Sequence, residues 1–187
     1  MPKVTFNRRE FMASSVVAVV LGLSERPFSQ PADPTDLSIA ASSRLIRSGD
    51  LSPSELVSAY FGRIRNLDSR VNAFVTLTEE RAIAQARELE QELVNGKWRG
   101  PLHGIPIALK DNIDTAGVLT TAASAVFADR IPDSDAEVVT RLKAAGAIII
   151  GKLNMHEFAY GATSAASHVG PVRNPWDIDV IPGGSSG

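Results

Sequence analysis

The chain has 187 residues, of which 44% are hydrophobic and 21% charged, and its formal net charge is −2. This composition is typical of a soluble globular domain, and the lack of a long basic run argues against a nucleic-acid-binding surface. The sequence contains no cysteine, which excludes disulfides, thiolate metal sites and cysteine nucleophiles. Its three histidines form no closely spaced ligand pair, so we expect no metal and no other cofactor.

The N-terminal segment has the layout of an export signal. Arg8 and Arg9 are followed by Phe11 and then by a modestly apolar run at residues 13–23. This pattern resembles the twin-arginine signal, which carries folded proteins across a bacterial inner membrane. The run is too short to span ~30 Å of hydrocarbon, for which a helix needs about 20 residues, so no stable membrane span is expected.

We therefore predict that residues 1–30 are a twin-arginine signal peptide and that the export machinery is a partner of the chain. The mature protein is then expected to be periplasmic or secreted. The sequence has no clear Ala-x-Ala cleavage site after the apolar run. The alternative is an ordinary basic start followed by a buried helix.

Helical periodicity dominates the stretch that follows. The predicted elements are helices at residues 36–47, 53–67 and 78–94 and a strand at residues 72–77. Ser52, Pro53 and Glu55 have the pattern of a capping box at the start of the second helix. We expect Thr78 to cap the third helix with its hydroxyl group.

Strands and a helix alternate in the next part of the chain. The apolar residues before Lys110 predict a buried strand, residues 134–145 a capped helix, and residues 147–150 a second buried strand. The side chains of this helix that we expect to face inward are Val138, Val139 and Leu142. A strand, a helix and a strand in this order imply parallel pairing. The predicted fold class is α/β, with mixed or parallel sheet strands flanked by helices.

Lys110 is the first candidate for a functional residue, because it stands alone at the end of an apolar strand. The simpler interpretation is that it is the first solvated residue after the strand, since lysine is almost never buried without a partner. The alternative is a catalytic base that is desolvated at the strand end. That alternative needs a chemical partner elsewhere in the chain.

Two glycine-flanked serines near the C-terminal end, Ser185 and Ser186, are the candidates for that partner. Glycine and serine by themselves favour a flexible linker. Gly183, Ser185 and Gly187 also match the nucleophile elbow of α/β-hydrolases, but no strand precedes them and the required later Asp and His do not follow. The remaining interpretation pairs Ser185 with the strand-end lysine.

Four ordered segments carry a specific resemblance to a known family. They are GIPIALKDNI at residues 104–113, GKLNMHEF at 151–158, RNPW at 173–176 and PGGSSG at 182–187. In order and spacing these segments resemble the amidase signature family, and the similarity runs from about residue 36 to the last residue. The resemblance implies a part of the amidase-signature fold and a small-molecule amide as substrate.

The resemblance also implies roles for individual residues. In that family a lysine and two serines form the catalytic relay, and Lys110 and Ser185 occupy the positions of the lysine and of the bridging serine. Ser186, Gly184 and Gly183 are expected to bind substrate or to support the site. The peptide bond before Ser185 is expected to be cis.

In such a relay, the proton of the attacking serine passes through the bridging serine to a neutral lysine. Burial of Lys110 beside hydroxyls and away from carboxylates favours the neutral amine. Asp111 is adjacent, but neighbours on an extended segment point to opposite sides, so it need not pair with Lys110. Asn154, Met155 and Glu157 are expected to brace the fold near the site.

The nucleophilic serine and the oxyanion hole of the family lie beyond the position that Gly187 occupies. We therefore expect residues 31–187 to be an N-terminal portion of an amidase domain, truncated before the catalytic core is complete and inactive by itself. The leading hypothesis is an exported amidase that hydrolyses the C–N bond of a carboxamide. One alternative is a non-catalytic remnant that at most binds. Another is the A subunit of a glutamine-dependent tRNA amidotransferase, which the export signal opposes because charged tRNA is cytoplasmic.

Overall fold

A computed structural model of the chain describes residues 33–187. The predicted signal peptide at residues 1–30 lies outside the described residues. The helices are α1 (Ile39–Ser48), α2 (Pro53–Val71), α3 (Glu79–Val94) and α4 (Glu137–Ala144), and the strands are β1 (Phe74–Leu77), β2 (Pro106–Lys110) and β3 (Ile148–Leu153). Single turns of 3-10 helix lie at Pro34–Asp36, Ala125–Phe127 and Glu157–Ala159.

The strands form one mixed sheet in the order β1-β3-β2. Strands β2 and β3 are parallel and are connected through α4, whereas β1 pairs with β3 in the antiparallel direction. The predicted α/β class and the predicted parallel pairing are confirmed. Strand β3 lies between the other two and is buried along almost its whole length. A central strand that is covered on both faces is apolar on both, which explains the continuous run of isoleucines at its start.

Helices cover both faces of this sheet. Side chains alternate along a strand, so Ile148 and Ile150 point to one face and Ile149 to the other. On the first face the two isoleucines join a cluster from α2 and α3, which consists of Val57, Phe61, Ala82, Ala86 and Leu89. On the second face Ile149 packs with Leu109 of β2 and Val139 of α4. The described part of the chain is therefore a sheet between two helical layers.

The start of α2 confirms the predicted capping box. The Oγ atom of Ser52 accepts a hydrogen bond from the Glu55 amide at 3.1 Å, and the Glu55 carboxylate accepts one from the Ser52 amide at 2.8 Å. The helix continues past the predicted end at residue 67 to Val71. It stops where Asn72 adopts the left-handed conformation, with φ of 54°.

Thr78 precedes α3 as predicted, but the prediction that its hydroxyl caps the helix is wrong. No side-chain hydrogen bond caps the first turn of α3. The Oγ1 atom of Thr78 instead donates to the carbonyl oxygen of Ile149 at 2.7 Å. The hydroxyl therefore bonds to a strand residue 71 positions away and not to the helix. Local sequence gives no sign of this distant acceptor.

Helix α4 begins later than predicted, at Glu137, because Ala136 is extended and no side chain caps the helix. Val139 and Leu142 pack in the core as expected. Val138, however, is 48% exposed, so its predicted inward position is wrong. Successive residues of a helix point about 100° apart, so a contact with the sheet that is centred on Val139 turns Val138 toward solvent.

The described residues 33–187 include no helix long and apolar enough to cross a membrane. Within the same range, no group of three or more His, Cys, Asp or Glu residues is arranged to hold a metal ion.

Both ring nitrogens of the buried His103 have partners within the protein. One lies 3.0 Å from the carbonyl oxygen of Leu89, and the other accepts from the Arg99 amide at 3.3 Å.

Candidate active site

Strand β2 brings Lys110 to the edge of the core. Its neighbour Leu109 is buried and packs with Val139 on the α4 side of the sheet. Because side chains alternate along a strand, Lys110 projects from the opposite face, where it is half-buried. Lys110 also pairs in parallel register with Leu153 of β3. It is therefore the last residue of the strand and not a solvated residue beyond it.

The segment that follows β3 positions Ser185. Met155 is fully buried and forms an antiparallel bridge with Ser186. The amide of His156 donates to the carbonyl oxygen of Ser185 at 3.0 Å. Since β2 and β3 are adjacent and parallel, the residues beyond their carboxyl ends lie at the same edge of the sheet. The C-terminal serines are thus anchored beside the end of β2.

The two predicted relay residues are in contact. The Nζ atom of Lys110 donates to the Oγ atom of Ser185 at 2.6 Å, although the residues are 75 positions apart in the sequence. The peptide bond between Gly184 and Ser185 is cis, as the family resemblance implies. Among the described residues, no carboxylate oxygen lies within 4.0 Å of Nζ of Lys110. The site therefore holds a lysine whose observed polar partner is a hydroxyl group.

The two glycines before Ser185 fit positions that other residues would not. A Cβ atom on Gly184 would lie 2.7 Å from the backbone nitrogen of Thr163 and 2.8 Å from the carbonyl carbon of Ala162. Gly183 has φ of +102°, in the left-handed region that side chains disfavour. Both positions therefore favour glycine, whereas the adjacent Ser186 is exposed.

Asp111 does not pair with Lys110. It is fully buried, and its carboxylate lies 3.6 Å from the Nζ atom of Lys152, which is also fully buried. Burial lowers the pKa of Lys152, and the charge of Asp111 opposes part of that shift. Sequence reasoning missed Lys152 because the predicted strand ended at residue 150, whereas β3 continues to Leu153. A lysine directly after three isoleucines and a glycine was the available signal.

Asn154 ties together the loops around the serine segment. Its side-chain amide donates to the carbonyl oxygens of Asn72 at 3.0 Å and Gly170 at 3.1 Å. Its side-chain oxygen accepts from the Met155 amide and from the hydroxyl of Ser167. The side chain is fully buried, so these contacts brace the segment that precedes the bridge to Ser186.

Comparison with known protein families assigns most of the chain to one family. The sequence model described as Amidase matches residues 55–187. The chain therefore belongs to the amidase signature family, and the resemblance inferred from the sequence motifs is confirmed.

Relatives with known names and structures agree with this assignment. The A subunit of glutamyl-tRNA(Gln) amidotransferase from Moorella thermoacetica is 48% identical over 145 residues, which cover 78% of this chain and 30% of that protein. The crystal structure of the peptide amidase from Stenotrophomonas maltophilia has a TM-score of 0.78 and 38% identity, and the match covers 83% of this chain and 33% of that one.

A bacterial aryl acylamidase of the amidase signature family is more distant in sequence. It has a TM-score of 0.74 at 25% identity, over 80% of this chain and 31% of that chain. The chain thus spans about 30% of the length of the relatives that it matches. Within that span it has a partial amidase-signature fold.

Proposed function

We propose that this chain supplies the lysine and the bridging serine of an amide-hydrolysing relay. A serine from a further part of the catalytic domain would attack the carbonyl carbon of a carboxamide. Its proton would move to the Oγ atom of Ser185 while the proton of Ser185 moves to Lys110. The observation that carries the proposal is the 2.6 Å hydrogen bond between these two side chains.

The same relay would run in reverse to complete the reaction. As the C–N bond breaks, Lys110 would return its proton through Ser185 to the departing nitrogen, and the substrate's acyl group would remain on the serine as an ester. Water would then hydrolyse the ester and release the carboxylic acid, with the relay again taking a proton. A lysine that accepts a proton must start as the neutral amine. The carboxylate of the adjacent Asp111 lies 3.6 Å from the Nζ atom of Lys152 and does not pair with Lys110.

Replacing Ser185 with alanine tests the relay in the polypeptide encoded by the complete reading frame that contains these residues. We expect kcat for ammonia release from primary carboxamides such as benzamide and amino acid amides to fall by about 10²- to 10³-fold. The nucleophile would lose its proton path to Lys110. A water molecule in the vacated space would carry part of the transfer, which limits the loss.

Ser58→Ala is the matched control, since Ser58 lies on the exposed side of α2, where alanine is a good helix former. Parental activity in Ser185→Ala would rule out a bridging role for this hydroxyl. A parent polypeptide that hydrolyses no amide of the panel would favour the alternative of a non-catalytic protein that at most binds.

We also propose that residues 1–30 export the protein as a folded chain, so that the amidase acts in the periplasm or outside the cell. Residues 1–34 fused to a fluorescent protein are expected to give periplasmic fluorescence, because the twin-arginine pathway carries folded cargo. Changing Arg8 and Arg9 together to lysine should abolish it, whereas Arg26→Lys should not. Export that survives the double change would contradict the twin-arginine assignment.

The second candidate function is that of the A subunit of a tRNA-dependent amidotransferase. The 48% identity with such a subunit from Moorella thermoacetica favours it. In that case the same lysine and serine would help to release ammonia from glutamine for transfer to tRNA-bound glutamate. The reporter fusion separates the two candidates: export favours the amidase, because charged tRNA is cytoplasmic, and retention in the cytoplasm favours the amidotransferase.

A further inference from the structure

A buried ion pair lies directly behind the candidate site, and its members touch neither Lys110 nor Ser185 through their side chains. Lys152 and Asp111 are both 0% exposed. The ammonium group of Lys152 donates to the carbonyl oxygen of Ile113 at 2.8 Å and to the hydroxyl of Thr120 at 2.7 Å. These two acceptors lie on opposite limbs of the loop that follows β2. Lys152 therefore fastens both limbs of the loop to β3.

The carboxylate of Asp111 organises the far end of the same loop. Its Oδ2 atom accepts from the amide of Thr121 at 2.9 Å, from the hydroxyl of Thr121 at 2.6 Å and from the amide of Ala123 at 3.4 Å. Ala122 and Ala123 have φ of 53° and 54°, a region that residues other than glycine disfavour. The carboxylate of Asp111 thus accepts hydrogen bonds from both ends of the turn at residues 121–123.

The turn at residues 121–123 also binds the segment at residues 156–168, which contacts Ser185. The carbonyl oxygen of Ala122 accepts from the Phe158 amide at 3.0 Å, and that of Ala123 accepts from the His168 amide at 2.8 Å. The same segment contributes the His156 amide, which binds the carbonyl oxygen of Ser185. A continuous series of hydrogen bonds and short backbone links therefore runs from Asp111 to the backbone of Ser185.

We infer that Asp111 and Lys152 are positioning residues, which hold the turn at residues 121–123 so that Ser185 meets Lys110. The catalytic consequence rests on the proposed function, but the structural coupling does not. The competing explanation is an ion pair that only stabilises the fold. A buried ion pair is weak support for stability, because desolvation of the two charges offsets much of their attraction. The two explanations differ in which part of the protein a substitution at Asp111 would loosen. A positioning role predicts a change confined to the segment beside Ser185, whereas a purely stabilising role predicts a change throughout the fold.

Asp111→Asn tests the coupling in the intact protein by amide hydrogen exchange, measured by mass spectrometry on short overlapping peptides. An asparagine side chain has one acceptor oxygen in place of two. It can accept hydrogen bonds from Thr121 or face the ammonium group of Lys152 with that oxygen, but it cannot do both. We expect the amides of His156, Phe158 and His168 to exchange about tenfold faster or more, while those in the centre of α3 are unchanged.

Asp114→Asn is the matched control. Asp114 is in the same loop and pairs with Arg130 at 2.7 Å, and both side chains are 40% exposed. Arg130 also lies 3.5 Å from the carbonyl oxygen of Thr120, but neither side chain has a hydrogen bond to residues 121–123. We expect exchange at His156 to be unchanged in this variant. Unchanged exchange in Asp111→Asn, or an equal increase in α3, would overturn the positioning role, because equal increases indicate only a less stable fold.

Thr121→Ala is a second test of the same coupling, for use if Asp111→Asn does not fold. It removes the hydroxyl that donates to the carboxylate and that accepts from the Ala123 amide, and it leaves the ion pair intact. The same three amides should exchange faster, by a smaller factor. No change at these amides would overturn the inference.

The consequence for catalysis is tested with the same variants in the complete enzyme. We expect kcat to fall by about a hundredfold in Asp111→Asn with KM almost unchanged, because the relay is misaligned while substrate contacts remain. A rise in KM at constant kcat would contradict the positioning role. Full activity in Ser185→Ala would instead reject the proposed function and leave the hydrogen-exchange result valid.

Discussion

Lys110→Ala is expected to lower kcat/KM for amide hydrolysis by about 10⁴-fold, the upper end of the range for loss of a general base. The Nζ atom of Lys110 lies 2.6 Å from the hydroxyl oxygen of Ser185. Without it, the proton of the attacking serine has no acceptor at the end of the relay. The effect should exceed that of Ser185→Ala, because a water molecule can replace a bridging hydroxyl but is a far weaker base than an amine.

Chemical rescue makes this prediction specific to the base. Ethylamine or propylamine added to Lys110→Ala should restore part of the activity, since a small amine can occupy the volume of the missing side chain. The same amines should not help Ser185→Ala, which retains its own lysine. Lys97→Ala, which removes an exposed lysine that pairs with Glu92, is the control and should remain fully active. Activity within about tenfold of the parent in Lys110→Ala would reject the relay.

Gly151→Ala should destabilise the fold by about 3 kcal/mol, the upper end of the usual cost of overpacking. Gly151 pairs with Leu77 of β1 and with Ala108 of β2. A Cβ atom there would lie 2.5 Å from the carbonyl oxygen of Thr76 and 3.0 Å from the ring of Phe74. Because the closest atom belongs to the backbone of a paired strand, β1 would have to move.

Gly62→Ala is the matched control for this effect. Gly62 lies within α2, and a Cβ atom there would meet nothing within 4 Å. Alanine should stabilise the helix by roughly 0.5–1 kcal/mol, because it lowers the entropy of the unfolded chain. Urea unfolding followed by far-ultraviolet circular dichroism would compare both variants with the parent. Equal midpoints for the parent and Gly151→Ala would show that the sheet accommodates the extra methyl group.

Sequence patterns predicted best where the decisive interactions are local. The capping box at Ser52 and Glu55 involves residues three positions apart, so the start of α2 is determined within one turn of helix. The hydroxyl of Thr78 was predicted wrongly because an acceptor on β3 competes with the helix for it. Val138 was predicted wrongly because the sheet contacts only one edge of the apolar stripe of α4.

The candidate site likewise combines a feature that the sequence indicated with contacts that only the fold creates. The local pattern around Lys110 favoured an ordinary solvated lysine, and only the resemblance between ordered motifs linked it to Ser185. Their contact spans 75 positions and exists because β2 and β3 are parallel neighbours with both carboxyl ends at one edge. Asp111 and Lys152 meet across the same two strands.

The sequence by itself determined the presence and order of the helices, the α/β class and the family, because periodicity and motif order are properties of short segments and their spacing. Apart from the link between Lys110 and Ser185 that the motif resemblance implied, only the tertiary structure showed which polar groups meet. The partner of a buried lysine or carboxylate is chosen by strand order and register, which bring distant residues to one edge of the sheet. Lys110 therefore contacts Ser185, and Asp111 is directed to Lys152.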